Sequence, residues 1–181
     1  MKFLIASDIH GSAFYCRKLL DRMKAEKADR LILLGDILYH GPRNNLPSGY
    51  EPKEVISLLN HIKNQILCVR GNCDTEVDQM VLEFPIFADY AILMLGDKEI
   101  YMTHGHIFNE NKLPPIKHGD ILLNGHTHVP KCTKHDTFIY MNPGSVSIPK
   151  DNSYHGYMTL ENNKFLWKEL DGSVKDEFIL N

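Results

Sequence analysis

The first half of the chain alternates short apolar runs with stretches whose apolar residues recur at helical spacing. The runs Lys2–Ser7, Arg30–Leu34 and Ile66–Val69 are predicted to be strands, because they are short, aliphatic and followed by polar turn residues. The first intervening helix is predicted to follow Ser12, a favourable N-cap, and the second to begin at Pro52, a favourable first-turn residue. This order, βαβαβ with strands buried on both faces, indicates a parallel sheet.

From Ile86 onward the pattern changes to short β-like runs separated by polar turns such as Gly96-Asp97-Lys98. The predicted strands of this half are Tyr90–Leu95, Glu99–Thr103, Asp120–Asn124, Phe138–Met141, Tyr157–Leu160 and Phe165–Glu169. An α/β half that runs without a linker into a strand-rich half predicts two packed sheets flanked by helices. We expect residues 1–181 to form a single domain.

Length and charge narrow the class of protein. A chain of 181 residues is long enough for one domain with a substantial core, and its formal net charge of −3 gives no electrostatic reason to expect binding to nucleic acid or membranes. No apolar run approaches the ~20 residues that span a bilayer, and the N-terminal run is short for a signal peptide, so a cytoplasmic location is expected. The four cysteines have scattered spacings without a CxxC pair, which favours reduced thiols.

Polar residues that can bind metals follow the ends of apolar runs in five separate segments. These segments are Asp8-Ile9-His10, Gly35-Asp36, Gly71-Asn72-Cys73-Asp74, His104-Gly105-His106 and Gly125-His126-Thr127-His128. Each alone has an ordinary alternative as a turn, a helix cap or a structural histidine. Because the carboxyl ends of strands converge at one edge of an α/β sheet, the recurrence of all five favours a metal site.

The donor types narrow the metal and the number of ions. Imidazole, carboxylate and amide donors without an obligatory thiolate suit Mn²⁺, Fe or Zn²⁺ better than Ca²⁺ or a thiolate zinc site. These donors are too many for one ion with open positions. Two ions bridged by one carboxylate, about 3.5–4 Å apart as in two-metal hydrolases, would use them all.

The ordered set of motifs resembles the calcineurin-like metallophosphoesterase superfamily. The resemblance runs from Asp8 to Asn142-Pro143-Gly144-Ser145, and the segments Gly71–Asp74 and Tyr39–Arg43 are most similar to bacterial phosphodiesterases of the YfcE type. It implies a four-layer αββα sandwich with two mixed sheets flanked by helices. It also implies hydrolysis of a small phosphodiester, and a homodimer is the family-level expectation.

The resemblance further implies which residues hold the ions. One ion would be held by Asp8, His10, Asp36 and His128, and the other by Asp36, Asn72, His104 and His126, so that Asp36 is the bridge. Manganese is the first expectation, with zinc, iron or nickel as alternatives. In such a site a metal-bridging hydroxide attacks phosphorus. His106 is expected to contact substrate or support a ligand, and Asp74 to orient a ligand or the neighbouring backbone.

Two positions depart from the pattern or lie outside it. Cys73 stands where many superfamily members carry a histidine that is thought to assist the leaving group. A thiol can in principle donate a proton, but it is a weaker hydrogen-bond donor than imidazole, and a buried apolar role is the alternative. The departure predicts a preference for diesters with good leaving groups over alkyl monoesters. The loop His40–Tyr50 is long enough to be either a pocket border or a tolerated insertion.

A protein-interaction scaffold is the alternative function, because a retromer subunit shares the superfamily fold. A scaffold need not retain every metal ligand, whereas all seven positions here hold competent residues. The sequence therefore favours an enzyme. It leaves the natural substrate open among cyclic nucleotides, nucleotide diesters and other small phosphodiesters.

Overall fold

The structure, a computed structural model that describes residues 1–180, contains eleven strands, three α-helices and one 3₁₀ helix in that range. The strands are β1 (Phe3–Ala6), β2 (Arg30–Leu33), β3 (Ile66–Cys68), β4 (Ala91–Leu95), β5 (Lys98–Met102), β6 (Ile121–Leu123), β7 (Pro130–Lys134), β8 (Ile139–Pro143), β9 (Gly156–Glu161), β10 (Lys164–Glu169) and β11 (Val174–Ile179). The helices are α1 (Ala13–Ala25), α2 (Pro52–His61) and α3 (Glu76–Val81), with the 3₁₀ helix at Lys63–Gln65.

The strands form two mixed sheets. The first has the order β11-β10-β9-β1-β2-β3, in which β1, β2 and β3 are parallel and β9, β10 and β11 are antiparallel. The second has the order β4-β5-β6-β8-β7, with three parallel strands in the centre and an antiparallel strand at each edge. This arrangement confirms the predicted sandwich and the predicted parallel βαβαβ unit.

The predicted helix starts are confirmed in detail. The Ser12 hydroxyl accepts a hydrogen bond from the Tyr15 backbone N–H, and Pro52 occupies the first turn of α2. Both features supply what a helix start needs, since the first backbone N–H groups have no partner within the helix.

The sequence analysis missed α3, β7 and β11. The helix α3 has only six residues and is initiated by a capping box between Thr75 and Asp78 rather than by an apolar face. The strands β7 and β11 lie at the edges of their sheets, and most of β11 is exposed. Edge strands with polar side chains give a weak apolar signal, which is why the pattern did not reveal them.

Alternate residues of the central strands contact different layers of the core. Leu4 packs towards α1 and α2, while its neighbour Ile5 packs between the two sheets. Trp167 is buried between the sheets, where its indole N–H donates to the Asn142 carbonyl oxygen at 2.7 Å. The outer face of the second sheet is covered by Phe108 and Ile116, which belong to an irregular segment.

The loops that follow the carboxyl ends of the parallel strands in both sheets lie close together, at what we call the shared edge of the sandwich. The carboxyl ends of β1, β2 and β3 lead into Asp8, Asp36 and Asn72, and the parallel strands β5 and β6 lead into the two histidine segments. Backbone hydrogen bonds hold these loops together, for example from Asp8 N to the Gly35 carbonyl oxygen at 3.1 Å. The fold therefore assembles the five motifs in one place.

All four cysteines are free, in agreement with the expectation of reduced thiols. Within residues 1–180, none of the helices has the length and apolar character that crossing a bilayer requires. Neither feature constrains the site, whose chemistry is set by the loops at the shared edge.

Candidate metal centre

Asp8, His10 and His128 converge on one point. Asp8 Oδ1 lies 3.5 Å from His10 Nε2 and 3.2 Å from His128 Nε2, and the two Nε2 atoms are 3.3 Å apart. All three side chains are buried. Three potential ligand atoms thus surround a space that could accommodate one cation.

Asp36 links this group to the remaining predicted ligands. Its Oδ2 atom is 3.7 Å from His10 Nε2 and 3.4 Å from His104 Nε2. On the far side, His104 Nε2 lies 3.1 Å from Asn72 Oδ1 and 3.2 Å from His126 Nδ1. The structure therefore brings all seven predicted ligand residues together, with Asp36 between the two groups.

Backbone carbonyl groups fix the orientation of three of the imidazole rings. The Nδ1 atoms of these rings donate to carbonyl oxygens at 2.6–2.7 Å; the pairs are His10 with Tyr39, His104 with Leu34 and His128 with Ile148. Because a carbonyl oxygen can only accept, Nδ1 must carry the proton in each ring. A metal-binding histidine is commonly held in this way by a partner of its second nitrogen.

This orientation makes the site suitable for a cation. When a metal ion takes the place of the Nε2 protons, the Nε2 lone pairs of His10 and His128 face each other, and Asp8 Oδ1 beside them is a buried oxygen without a hydrogen-bond partner. Lone pairs and a carboxylate so close together require a positive charge, which a metal ion can supply. The residues present fit the divalent metal that their types predict.

The ligand residues also concentrate backbone strain. Among residues 1–180, ten residues other than glycine have positive φ, and five of them are predicted ligands: Asp8 (60°), His10 (48°), Asp36 (56°), His126 (67°) and His128 (63°). A left-handed conformation costs about 1–2 kcal/mol for a residue with a Cβ atom. Such strain accumulates at functional sites, where the surrounding structure enforces it.

Residues 1–164 match the family model of the calcineurin-like phosphoesterase superfamily domain. The chain belongs to this superfamily. It is 44% identical over 163 residues to phosphodiesterase YfcE of Escherichia coli (strain K12), which covers 90% of this chain and 89% of that protein. The solved structure of the E. coli phosphoesterase YfcE superposes with a TM-score of 0.96 at 42% identity over 100% of both chains.

A further solved structure has a bearing on the scaffold alternative. Vps29 of Entamoeba histolytica in complex with zinc aligns with a TM-score of 0.64 over 100% of both chains, but at 21% identity. A likeness at this level shows a common fold and nothing about activity. Family membership and the relationship to YfcE identify the chain as a metal-dependent hydrolase.

The protonation of this phosphoesterase site is governed by burial and by contacts between acids and imidazoles. Burial opposes ionisation of Asp8, yet the adjacent imidazoles of His10 and His128 keep the pKa of this carboxyl well below its usual value. Burial likewise opposes a charge on His104, but Asp36 and Asp8 raise its pKa to about 9. A metal that binds here at neutral pH must therefore displace a proton from His104.

Asp74 contacts the backbone of the ligand loops. Its carboxylate accepts hydrogen bonds from the backbone N–H groups of Asp36 and Ile37, both at 2.9 Å, and of Gly71 at 2.7 Å. The side chain is buried, so no water replaces these bonds. In this geometry Asp74 positions the loops that carry Asp36 and Asn72.

We expect Asp74→Asn to lower both stability and metal affinity. One carboxylate oxygen becomes an amide N–H group that faces backbone donors, and leaving buried donors unsatisfied costs about 1–3 kcal/mol. Metal affinity should fall about 10–100-fold, as it does when groups that support ligands are removed. Thermal unfolding without metal and calorimetric metal titration would measure the two effects. Asp78→Asn, which alters the exposed capping box of α3, is the matched control; wild-type affinity in Asp74→Asn would contradict the prediction.

Cys73 is buried beside the site and makes its main polar contact through the backbone. Its N–H donates to Asp36 Oδ1 at 2.8 Å, and its Sγ atom accepts from Asn72 Nδ2 at 3.2 Å. Burial, followed by the charge of Asp36, raises the pKa of the thiol. These contacts favour a protonated side chain with a packing role, while the backbone N–H helps to hold Asp36.

His106 borders the cluster without joining it. Its ring centroid is 5.4 Å from that of His104 and 6.3 Å from that of His126. Its Nδ1 atom is buried without a hydrogen-bond partner, and burial together with the charge of His104 lowers its pKa. A neutral imidazole with a free nitrogen is thus available beside the ligands.

The loop 40–50 contributes to the site. Its turn Gly41–Asn44 lines a small cavity of about 50 Å³ together with Asp36, Cys73 and His126. Its far end is anchored to the start of α1, where the Ser12 hydroxyl donates to the Ser48 carbonyl oxygen at 2.6 Å. The loop is therefore a fixed border of the pocket and not a mere insertion.

Several residues that shape the site carried no usable signal in the sequence. The hydroxyls of Ser145 and Ser147 donate to the Asp8 carbonyl oxygen at 2.9 and 3.0 Å and hold its strained backbone. Lys150 lines the cavity from the opposite side of the loop 40–50. Ser145 lies in a segment that the family resemblance included, but no pattern marks Ser147 or Lys150.

A larger groove of about 450 Å³ lies between α1 and α2. Its lining is mainly apolar and includes Leu20, Met23, Leu58 and Ile62. The clusters of histidine, cysteine and acidic side chains that could bind a metal in residues 1–180 all lie at the shared sheet edge instead. We therefore place the chemistry at that edge.

Proposed function

We propose that the protein is a dinuclear metal-dependent phosphodiesterase that hydrolyses small phosphodiesters. One divalent ion would be held by Asp8, His10, Asp36 and His128, and the other by Asp36, Asn72, His104 and His126. The observation that carries this proposal is the position of Asp36, whose Oδ2 atom faces imidazole nitrogens of both groups. A single ion could not use both groups and still keep an open position for substrate.

Two divalent ions held by these residues would supply positive charge for the phosphoryl oxygens and would lower the pKa of a bound water, the source of the hydroxide nucleophile. The chain supplies the rigid frame for that chemistry. Backbone carbonyl groups hold three imidazole rings in place. In addition, the backbone N–H of His126 donates to Asp8 Oδ2 at 3.1 Å. Preorganisation of this kind avoids rearrangement during the reaction. We assign His106 to a contact with substrate, because its half-buried ring borders the proposed ligands, 5.4 Å from that of His104.

Separate observations support the proposed substrate class, metal, domain organisation and location, and the choice of an enzyme over a scaffold. The diester class is supported by the relationship to phosphodiesterase YfcE, and manganese by the mixed donor set. A single domain over residues 1–181 is supported by β9, β10 and β11, which complete the first sheet. Four free thiols suit the reducing cytoplasm. All seven ligand positions hold competent residues, which favours the enzyme over a scaffold.

Metal reconstitution tests the proposal. The protein is stripped with a chelator and titrated with Mn²⁺, Zn²⁺, Fe²⁺ or Ni²⁺, while bound metal and hydrolysis of bis(4-nitrophenyl) phosphate are followed in parallel. We expect activity to rise until two equivalents are bound. Full activity in the stripped protein, or at one equivalent, would rule out the dinuclear assignment.

We expect the enzyme to hydrolyse bis(4-nitrophenyl) phosphate faster than 4-nitrophenyl phosphate. A monoester carries its second negative charge on the phosphoryl oxygens, where it repels an attacking hydroxide. Cys73 is also a poor donor to a leaving group, because its thiol pKa is raised. Steady-state kcat/KM values for the two esters, measured with the same metal, give the comparison. Faster turnover of the monoester would refute the preference.

A further inference from the structure

Two cationic side chains border the site without an acidic partner. Arg43 and Lys150 line the same small cavity as Cys73 and His128. Neither forms an ion pair with any carboxylate in residues 1–180, although many other lysines of this chain do so. The carboxylate that lines the cavity is that of Asp36, which the proposed function assigns to the metals. The positive charge of the two side chains is therefore available to a bound molecule.

The backbone holds both residues in place. Arg43 lies in a turn that two contacts of Asn44 stabilise. The Asn44 backbone nitrogen lies 3.4 Å from the Gly41 carbonyl oxygen, and Asn44 Nδ2 donates to the His40 carbonyl oxygen at 2.8 Å. Lys150 is tied directly to a ligand residue, because its N–H donates to the His128 carbonyl oxygen at 3.2 Å. The backbone attachment points of the two cations at the cavity are thus fixed.

The charge of the site indicates what these residues bind. Two divalent ions carry a charge of +4, and the carboxylates of Asp8 and Asp36 offset half of it. The proposed hydroxide and a simple phosphodiester bring one negative charge each, and together they balance the remaining charge of the metal centre. Two additional cations would therefore favour a substrate with more negative charge than a simple diester.

We propose that Arg43 and Lys150 bind a second phosphate group, carried on one alcohol arm of the diester. The inference rests on the proposed function and narrows its substrate class to diesters with an additional phosphomonoester, as in a nucleotide diester that is also phosphorylated on its sugar. The planar guanidinium of Arg43 can contact two phosphate oxygens at once, while Lys150 contributes a flexible point charge.

A matched pair of chromogenic diesters tests this assignment. Thymidine 5′-(4-nitrophenyl phosphate) carries one negative charge, and its 3′-phosphorylated counterpart differs by the second phosphate alone. We expect the wild-type enzyme to favour the phosphorylated ester by at least about tenfold in kcat/KM, chiefly through a lower KM. The free energy of hydrogen bonds to a charged group corresponds to a factor of about this size in affinity. Arg43→Gln combined with Lys150→Gln should lose this selectivity, and Arg43→Lys should retain part of it. Lys53→Gln, an exposed lysine on α2, is the control and should keep the wild-type ratio.

Binding supplies a readout that does not depend on turnover. Calorimetry with the metal-loaded protein should show tighter binding of thymidine 3′,5′-bisphosphate than of thymidine 5′-phosphate, and the double variant should bind both alike. Hydrolysis of both diesters at equal kcat/KM by the wild type would overturn the inference and leave the proposed function intact. Hydrolysis of bis(4-nitrophenyl) phosphate but of neither nucleotide diester would also overturn the inference alone. No hydrolysis of any of the three esters by the metal-loaded enzyme would overturn the proposed function as well. An unaltered melting temperature confirms that the variants are folded.

Discussion

Asp36→Ala is expected to abolish hydrolysis of bis(4-nitrophenyl) phosphate and to remove both metal ions at once. Asp36 Oδ2 is the ligand atom that faces His10 on one side and His104 on the other. Metal affinity falls about 10–100-fold when a residue that merely supports a ligand is lost. Loss of a shared ligand should therefore lower the affinity for both ions by more than about 100-fold. Metal content after gel filtration and calorimetric titration would measure the loss directly.

Two controls separate metal loss from unfolding. Asp36→Asn keeps an oxygen that can accept from the Cys73 N–H, and it should fold but bind metal poorly. Asp120→Asn alters an equally buried aspartate, 2% exposed like Asp36, which accepts from the backbone of Glu99 and Lys117. It should lower the melting temperature yet retain two ions. Retention of one tightly bound ion by Asp36→Ala would show that Asp36 is not the bridge.

Gly71→Ala is expected to damage the site and the fold together. A Cβ atom at this position would overlap with Asp36 Oδ1 and with the Asp36 backbone nitrogen. Neither atom can yield easily, because Oδ1 accepts from the Cys73 N–H and the nitrogen donates to Asp74. Overpacking of a rigid region costs about 1–3 kcal/mol or more, which corresponds to a fall of roughly 6–12 °C in melting temperature at the upper end for a domain of this size.

The matched control for this variant is Gly96→Ala. Gly96 has positive φ, but an added Cβ atom there would have no neighbour within 4 Å, so the cost is limited to about 1–2 kcal/mol of backbone strain. Gly96→Ala should therefore keep wild-type metal affinity, whereas Gly71→Ala should lose it. If the two variants behaved alike, close contact between Gly71 and Asp36 would not be what shapes the site.

The central elements of the fold were predictable because burial on both faces leaves a strong apolar signal. The central strands β1 and β2 were placed to within about one residue at each end, and so was β3, an edge strand whose residues are nevertheless apolar. β7 and β11 were missed because an edge strand pairs on one side alone and tolerates polar residues. The pairing of β9 with β1 joins residues more than 150 positions apart, and no local pattern specifies such a register.

The convergence of the seven proposed ligand residues was predictable, whereas most of what holds them in place was not. Imidazole and carboxylate groups are uncommon enough at strand ends that their recurrence in five segments carries information. The carbonyl oxygens that orient His10, His104 and His128 belong to the backbone, which every residue possesses. Arg43 belongs to the segment Tyr39–Arg43 that carries the family resemblance, but neither its proposed role nor that of Lys150 was predictable, since a surface cation is ordinary until its lack of a partner is seen in three dimensions.

The backbone is left-handed at five of the proposed ligands: Asp8, His10, Asp36, His126 and His128. Substitutions at these positions can therefore have opposite effects on catalytic activity and on backbone strain. Glycine at any of these positions would relieve strain while it removes a ligand, so the changes that most readily destroy activity are also ones that relax the polypeptide. In a lineage freed from selection for catalysis, relief of this strain would therefore offset part of the stability lost with the buried side chain. The reverse path, back to a working centre, would have to climb in conformational energy before any metal was bound.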